Sequence, residues 1–288
     1  MLAREGTQQT SFRTIAVLTL LPVLGLFAFV VWRAIYPKVE QLPLPRAAVS
    51  RKPAHKTTQP AAVLPRAATK APPSIVLIID DFGFEGQPLD RAMSLDPDIN
   101  FAILPNGNRA TAFAERLNER GFEILCHLPM EPIGAESPGR NAILTAMSTD
   151  EIGDLVRANL RAVPHARGVN NHMGSRATAD RRVMSSVLSA IPEGMYFVDS
   201  RTGASSVAAT LARQMRVKTA TRDVFLDDVR TREAVRQQVA VLASLARQRG
   251  VAVGIGHPHP VTLDVLAEEI PRLRERGFEF IRASSVVN

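Results

Sequence analysis

At 288 residues the chain has room for one large domain or two ordinary ones, and its 45% apolar content supplies a sizeable core. The formal net charge of +7 is unevenly placed: residues 1–72 carry ten Lys/Arg against Glu5 and Glu40, leaving 25 basic and 26 acidic side chains in residues 73–288. A near-neutral body has no basic face to displace counterions from phosphates, which excludes nucleic acid as a partner, and the single cysteine, Cys126, excludes an intramolecular disulfide framework.

Residues 1–14 form a short N-terminal tail. Ile15–Trp32 is an uncharged run rich in Leu, Val and Phe, closed by Trp32-Arg33. Its 18 residues, at about 1.5 Å each, just span a hydrocarbon core of about 30 Å. Trp32 suits the interface and Arg33 the headgroups. No small-x-small cleavage site follows, so a retained transmembrane anchor over residues 15–35 is expected rather than a cleaved signal peptide. Counted alone, Arg4 and Arg13 before the span and Arg33, Lys38, Arg46, Arg51 and Lys52 after it would keep the rest of the chain in the cytoplasm. Residues 36–73 hold eight prolines and eight alanines. That composition cannot bury enough surface to offset ordering, and it predicts a disordered, semi-rigid linker.

From Ser74 onward, apolar runs alternate with helical patterns. The expected strands are Ile75–Ile79, Phe101–Leu104, Glu123–His127, Gly168–Asn171, Met195–Asp199, Val217–Thr219, Val251–Ile255 and Phe278–Arg282. The clearest helices are Ser148–Val163, where Ser148 and Glu151 have capping-box spacing, Ala234–Arg247 and Leu263–Arg276. The wholly apolar SIVLII of Ser74–Ile79 is typical of a parallel strand buried on both faces. Strand–helix alternation over residues 74–288 means one parallel α/β domain, a barrel in preference to an open sheet. No Gly-rich phosphate loop opens a helix, so a dinucleotide fold lacks its fingerprint.

In such folds chemistry gathers at the carboxyl ends of the strands. Asp80-Asp81 sits at the end of the first strand and His127 at the end of the third, with Glu131 four residues on. Asn170-Asn171-His172, Asp199-Ser200-Arg201 and His257 end later strands. Neighbouring carboxylates such as Asp80 and Asp81 repel unless a cation or proton intervenes. Cys126 points opposite His127 along an extended strand and belongs to the core.

The motifs IIDDFG (Ile78–Gly83), HLPMEP (His127–Pro132), NNHMGS (Asn170–Ser175), FVDSRT (Phe197–Thr202) and IGHPHP (Ile255–Pro260) resemble, in this order, those of the divergent polysaccharide deacetylases. The resemblance covers about Ser74–Val287. It implies a distorted (β/α) barrel of about seven parallel strands. It also implies a metal-dependent carbohydrate N-deacetylase holding one divalent metal, zinc being expected, and acting on the acetamido sugars of a cell-envelope glycan such as peptidoglycan. By motif position, Asp80 is the catalytic base, Asp81 and His127 are metal ligands, and His257 is the general acid.

Glu131 stands where the wider superfamily has a second histidine, but Pro129 and Pro132 disfavour the helical turn that would bring it to a metal. His172 offers itself instead, and an Asp81–His127–His172 set leaves a position open for water. The superfamily's third motif carries an arginine that orients the base; Asn170-Asn171-His172 replaces it, which leaves Arg201 to supply the charge, with Asn171 and Asp199 as support. His259, between two prolines, reads as a loop histidine. Phe82, Phe84 and Tyr196 are the aromatic residues on which a sugar would have to stack. The resemblance places the body in the periplasm, tethered to the inner membrane, against the charge count. The alternative is a non-catalytic module on the same fold that binds glycan or a cell-envelope protein.

Overall fold

The computed structural model describes residues 71–288; the expected tail, anchor and nearly all of the linker lie outside the described residues. Among the described residues no helix is long and apolar enough to cross a membrane.

One sheet carries nine strands: β1 (Ser74–Phe82), β2 (Asn100–Ile103), β3 (Glu123–Met130), β4 (Gly168–Met173), β5 (Tyr196–Asp199), β6 (Thr219–Thr221), β7 (Val224–Phe225), β8 (Val251–Gly256) and β9 (Glu279–Phe280). Seven of them have three residues or more, and every pairing is parallel. The order is β6-β5-β4-β3-β2-β1-β8-β7, with β9 beside the first residues of β1. The two ends of this order, β6 and β7, are joined by only Arg222 and Asp223. Two residues bridge about 10 Å at most. The sheet must therefore curl until its edges almost meet, giving a parallel half-barrel, consistent with a distorted barrel.

The helices between the strands are α1 (Leu89–Met93), α2 (Ala110–Glu119), α3 (Thr149–Ala162), α4 (Arg181–Ala190), α5 (Ala208–Gln214), α6 (Arg232–Arg249) and α7 (Pro260–Glu275). The start of α3 is fixed by Ser148 and Glu151, which form the expected capping box. Helices α6 and α7 match the anticipated segments to within three residues, whereas α1 and α5 are too short to register as a periodic pattern. The strand expected over Val217–Thr219 forms two residues later as β6, and only Glu279–Phe280 of the expected Phe278–Arg282 pairs. Strand β7, with two residues, was not expected at all.

Period-two alternation divides the core. Ile75, Leu77 and Ile79 of β1, with Ile124, Cys126 and Leu128 of β3, face the helices in one cluster. Val76, Ile78, Leu125, Val198, Val253 and Ile255 fill the inside of the curl in a second. The amino ends of the strands are covered by the chain terminus. Asn100 at the head of β2 donates to Leu77 O and accepts from Ala283 N, and Ser284 bonds Glu123 at the head of β3. The carboxyl ends are left open.

Candidate functional site

Continuing the inward alternation past the apolar core places Asp80, His127, Asn170 and His257 at the open end. Asp80, His127 and His257 line a cavity of about 540 Å³ there. In a regular strand Asp80 and Asp81 would point to opposite faces. Here β1 advances three residues, from Ile79 to Phe82, while β2 advances two, from Phe101 to Ile103. This is a β-bulge. Asp81 is the extra residue, with φ of 62°, and both carboxylates consequently line the cavity. The Gln87 side chain holds the turn that follows: its Nε2 donates to Asp81 O at 2.7 Å and its Oε1 accepts from the Gly83 and Phe84 amides, each at 2.8 Å. Met173 (φ 52°) and Arg201 (φ 47°) also sit in the left-handed region at this rim, and such backbone strain gathers at functional sites.

Asp81 Oδ1 lies 3.2 Å from His127 Nε2 and 2.9 Å from His172 Nδ1. The ligand atoms of the three residues fall within 4.8 Å of one another. Asp81 Oδ1 is buried yet makes no hydrogen bond of good geometry. Buried carboxylate oxygens are rarely left this way, and a cation would satisfy it. Two imidazoles and a carboxylate are a donor set suited to zinc. The imidazole of His127 is also pre-aimed. Asn170 Nδ2 donates to Asp80 Oδ1 at 2.8 Å, so its Oδ1 must accept from His127 Nδ1, 2.9 Å away. The proton is thereby fixed on Nδ1, and Nε2 is directed at the cluster.

On the other side of Asp81, His257 Nε2 stands 3.8 Å from Asp81 Oδ2. Its Nδ1 and backbone amide bond the two oxygens of the buried Asp227 at 2.9 and 2.7 Å, and Thr262 Oγ1 donates to the same carboxylate. His259 also approaches Asp227 and His257, but with both Asp227 oxygens already engaged this grouping has less to offer a cation.

Electrostatics separate the roles. Burial pushes the Asp80 carboxyl up from its usual value, against the pull of His127 and His257. Burial opposes ionisation of Asp81 too, but His127 and His172 outweigh it and hold that carboxyl well below the usual carboxylate range. Burial would lower His127; the Asp80 and Asp81 carboxylates override it and bring it up to about 9. Burial would lower His257 as well, but its bond to Asp227 together with the charges of Asp81, Asp227 and Asp80 outweighs it and leaves the imidazole raised.

The other expected residues are placed as follows. Glu131 turns away from the cluster: its Oε2 accepts from Thr145 N and Oγ1, each at 2.6 Å, and its Oε1 lies 3.3 Å from Arg176. Asn171 braces two loops, accepting from Ser200 N and donating to Met173 O. Asp199 accepts from Arg201 N and Ser206 Oγ. Arg201 lines the cavity, as does the half-buried Arg222, whose Nε and Nη2 donate to Ser200 O and Arg201 O and whose guanidinium feels the Asp80 carboxylate. Of the three aromatic platforms, Phe82 is fully buried and Tyr196 is buried at the far end, donating to Glu123; only Phe84 is exposed.

Sequence reasoning missed Arg222, Asp227 and the bridging role of Asn170. Asp227 had a signal: Val224-Phe225-Leu226-Asp227-Asp228 repeats the apolar-then-double-aspartate pattern of Ile78–Asp81.

The family model of the divergent polysaccharide deacetylases matches residues 77–287. The chain is 35% identical over 215 residues to the uncharacterized protein YibQ of Escherichia coli strain K12, covering 74% of this chain and 67% of that one. It is 34% identical over 202 residues to an uncharacterized protein of Haemophilus influenzae, covering 70% and 72%. The crystal structure of an uncharacterized protein from Agrobacterium tumefaciens C58 shares the fold at a TM-score of 0.72 and 21% identity, over 76% of this chain and 91% of that one. The extent of the family match and the two relatives place the chain in the divergent polysaccharide deacetylase family.

Proposed function

We propose that the protein is a metal-dependent N-deacetylase of acetamido sugars in a cell-envelope glycan, peptidoglycan or a similar polymer. In this reading the N-terminal helix anchors it in the inner membrane with the body in the periplasm. The observation that carries the chemistry is the convergence of Asp81, His127 and His172 around a buried carboxylate oxygen without a partner, flanked by Asp80 on one side and a His257–Asp227 pair on the other.

The reaction is hydrolysis: the amide C–N bond breaks, water supplies the new C–O bond, and acetate and an amine leave. A divalent ion held by Asp81, His127 and His172 would supply Lewis acidity at the carbonyl. Asp80 Oδ1 is taken by Asn170, so Oδ2 is the oxygen free to accept the proton of the attacking water. His257 has Nδ1 committed to Asp227, so Nε2 presents the proton that the departing amine requires. The Asp227 carboxylate raises its pKa, which favours holding that proton.

Full-length protein tested for bound metal and for acetate release from peptidoglycan and chitin-type oligomers is expected to carry one zinc and to release acetate. A chelator and Asp80→Asn should each abolish release. Absence of metal and acetate, with Asp80→Asn indistinguishable from wild type, removes the reading. A reporter fused after Asn288 and active only in the cytoplasm would reverse the proposed orientation.

A second reading, a glycan- or envelope-protein-binding module without chemistry, is favoured by one feature: a neutral amide, Asn170, contacts Asp80 where a guanidinium is expected. Glycan binding with no acetate release would select it.

A further inference from the structure

We propose that a second cavity beside the first is a subsite for an oxyanion, a carboxylate or phosphate borne by the glycan near the acetamido group, so that the preferred substrate is an acidic sugar. This rests on the main cavity accepting a glycan, though not on turnover. The second cavity, about 540 Å³, is lined by Arg201, Arg213, Arg222 and Arg249 against Asp199 and Asp223, a surplus of two positive charges. It shares Arg201 and Arg222 with the cavity around Asp80 and Asp81, so a ligand seated at the first can extend a substituent into the second.

The two aspartates are already spoken for. Asp223 pairs with Arg249 at 2.9 Å, and Asp199 is held by Arg201 N and Ser206 Oγ. That leaves the guanidinium groups of Arg201 and Arg213 without a hydrogen-bond or ion-pair partner among the described residues. By contrast, Arg232 and Arg236 of α6 meet Asp264, Glu268 and Glu269 of α7. Arg201 and Arg213 are exposed and line the cavity next to the candidate site. Their planar, forked donors match the paired oxygens of a carboxylate or phosphate. The backbone of Arg201 is also fixed, at φ 47° with its amide bonded to Asp199, so its side chain starts from a defined direction.

The test is calorimetric binding of three probes to the full-length protein: N-acetylglucosamine, N-acetylmuramic acid, which adds a carboxylate, and N-acetylglucosamine 6-phosphate. At least one acidic probe should bind about tenfold tighter than the neutral sugar. That advantage should shrink at high salt and fall in Arg213→Gln and Arg201→Gln. Both residues are exposed, and unchanged melting curves would show that the fold is kept. Whichever acidic probe binds better identifies the oxyanion. Equal binding of all three, or a charge preference untouched by both substitutions, overturns the subsite. Acetate release is read on the same samples. Release without charge preference rejects the subsite and leaves the hydrolase reading standing; charge preference without release does the reverse.

Discussion

The amide of Asn170 gives one side to Asp80 and the other to His127, and the chemistry of an ionised Asp80 sets its orientation. Ionised, as a base must be, Asp80 only accepts, so Nδ2 faces its Oδ1 and the Asn170 Oδ1 faces His127 Nδ1. Asn170→Ala frees the imidazole to change tautomer and ring angle. Partners of this kind typically contribute 10–100-fold to metal affinity. Competition with a chelator should therefore show zinc held about tenfold or more weakly, while unchanged affinity would mean that His127 is oriented by packing alone. Cys126, one residue before His127, faces the other way and illustrates what burial does without a partner: its thiol is pushed up to about 12. The unfolded chain releases that proton above about pH 8.5 while the folded chain keeps it. Its stabilising contribution is therefore complete below pH 8.5 and is lost as pH rises toward 12. The stability advantage of wild type over Cys126→Ala, read from urea unfolding, should narrow by about 2 kcal/mol between pH 8 and pH 10. A gap independent of pH would show that the thiol ionises in the fold.

At the scale of elements, the site depends on a break in regularity. Without the bulge at Asp81, Phe82 would turn into the cavity and leave the aromatic cluster with Phe101 and Phe113. The bulge is held from outside by the loop after β2, which passes so close that a Cβ on Gly107 would stand 2.1 Å from Gly83 O. Gly107→Ala must push the two loops apart, at a cost of about 2 kcal/mol, and the displacement falls two residues from Asp81. Chemical unfolding should show that loss, and zinc affinity should fall with it; a variant with wild-type stability and affinity would mean that the loops are not coupled. This also marks what was legible in the sequence. Apolar runs ending in polar residues located β1, β3, β4, β5 and β8, and with them Asp80, Asp81, His127, His172 and His257, because burial on both faces leaves the strand end as the first place where polarity is tolerated. The bulge left no trace, since register is a property of two strands and a sequence shows one. Asp227 was lost with β7, whose two residues are too few for any periodicity. Arg222 was lost because only closure of the sheet brings the β6–β7 link toward Asp80.

For the molecule as a whole, the two ends of the curled sheet are built for different work. The carboxyl ends collect the carboxylates and imidazoles of the candidate site. The amino ends are sealed by the chain terminus, where Ala283 N satisfies Asn100, both Ser284 donors satisfy Glu123, and Asn288 pairs with Thr219 at the head of β6. This seal touches β1, β2, β3 and β6, so it also fixes the curvature on which convergence at the other end depends. Ending the chain at Arg282 exposes the second core cluster, which Ala283, Val286 and Val287 cover, and leaves Asn100 Oδ1 and one oxygen of Glu123 without partners. Each buried group so orphaned costs about 1–3 kcal/mol, and with the apolar loss the total is about 4 kcal/mol. For a body of this size that corresponds to a melting temperature about 10 °C lower. Because the deletion lies at the opposite end from Asp81, the surviving folded fraction at 25 °C should still bind zinc with wild-type stoichiometry. A melting temperature within about 2 °C of wild type would show that the terminus merely rests on the barrel. Loss of zinc from protein that remains folded would show that the curvature of the sheet, and not the local bulge, sets the spacing of the ligands.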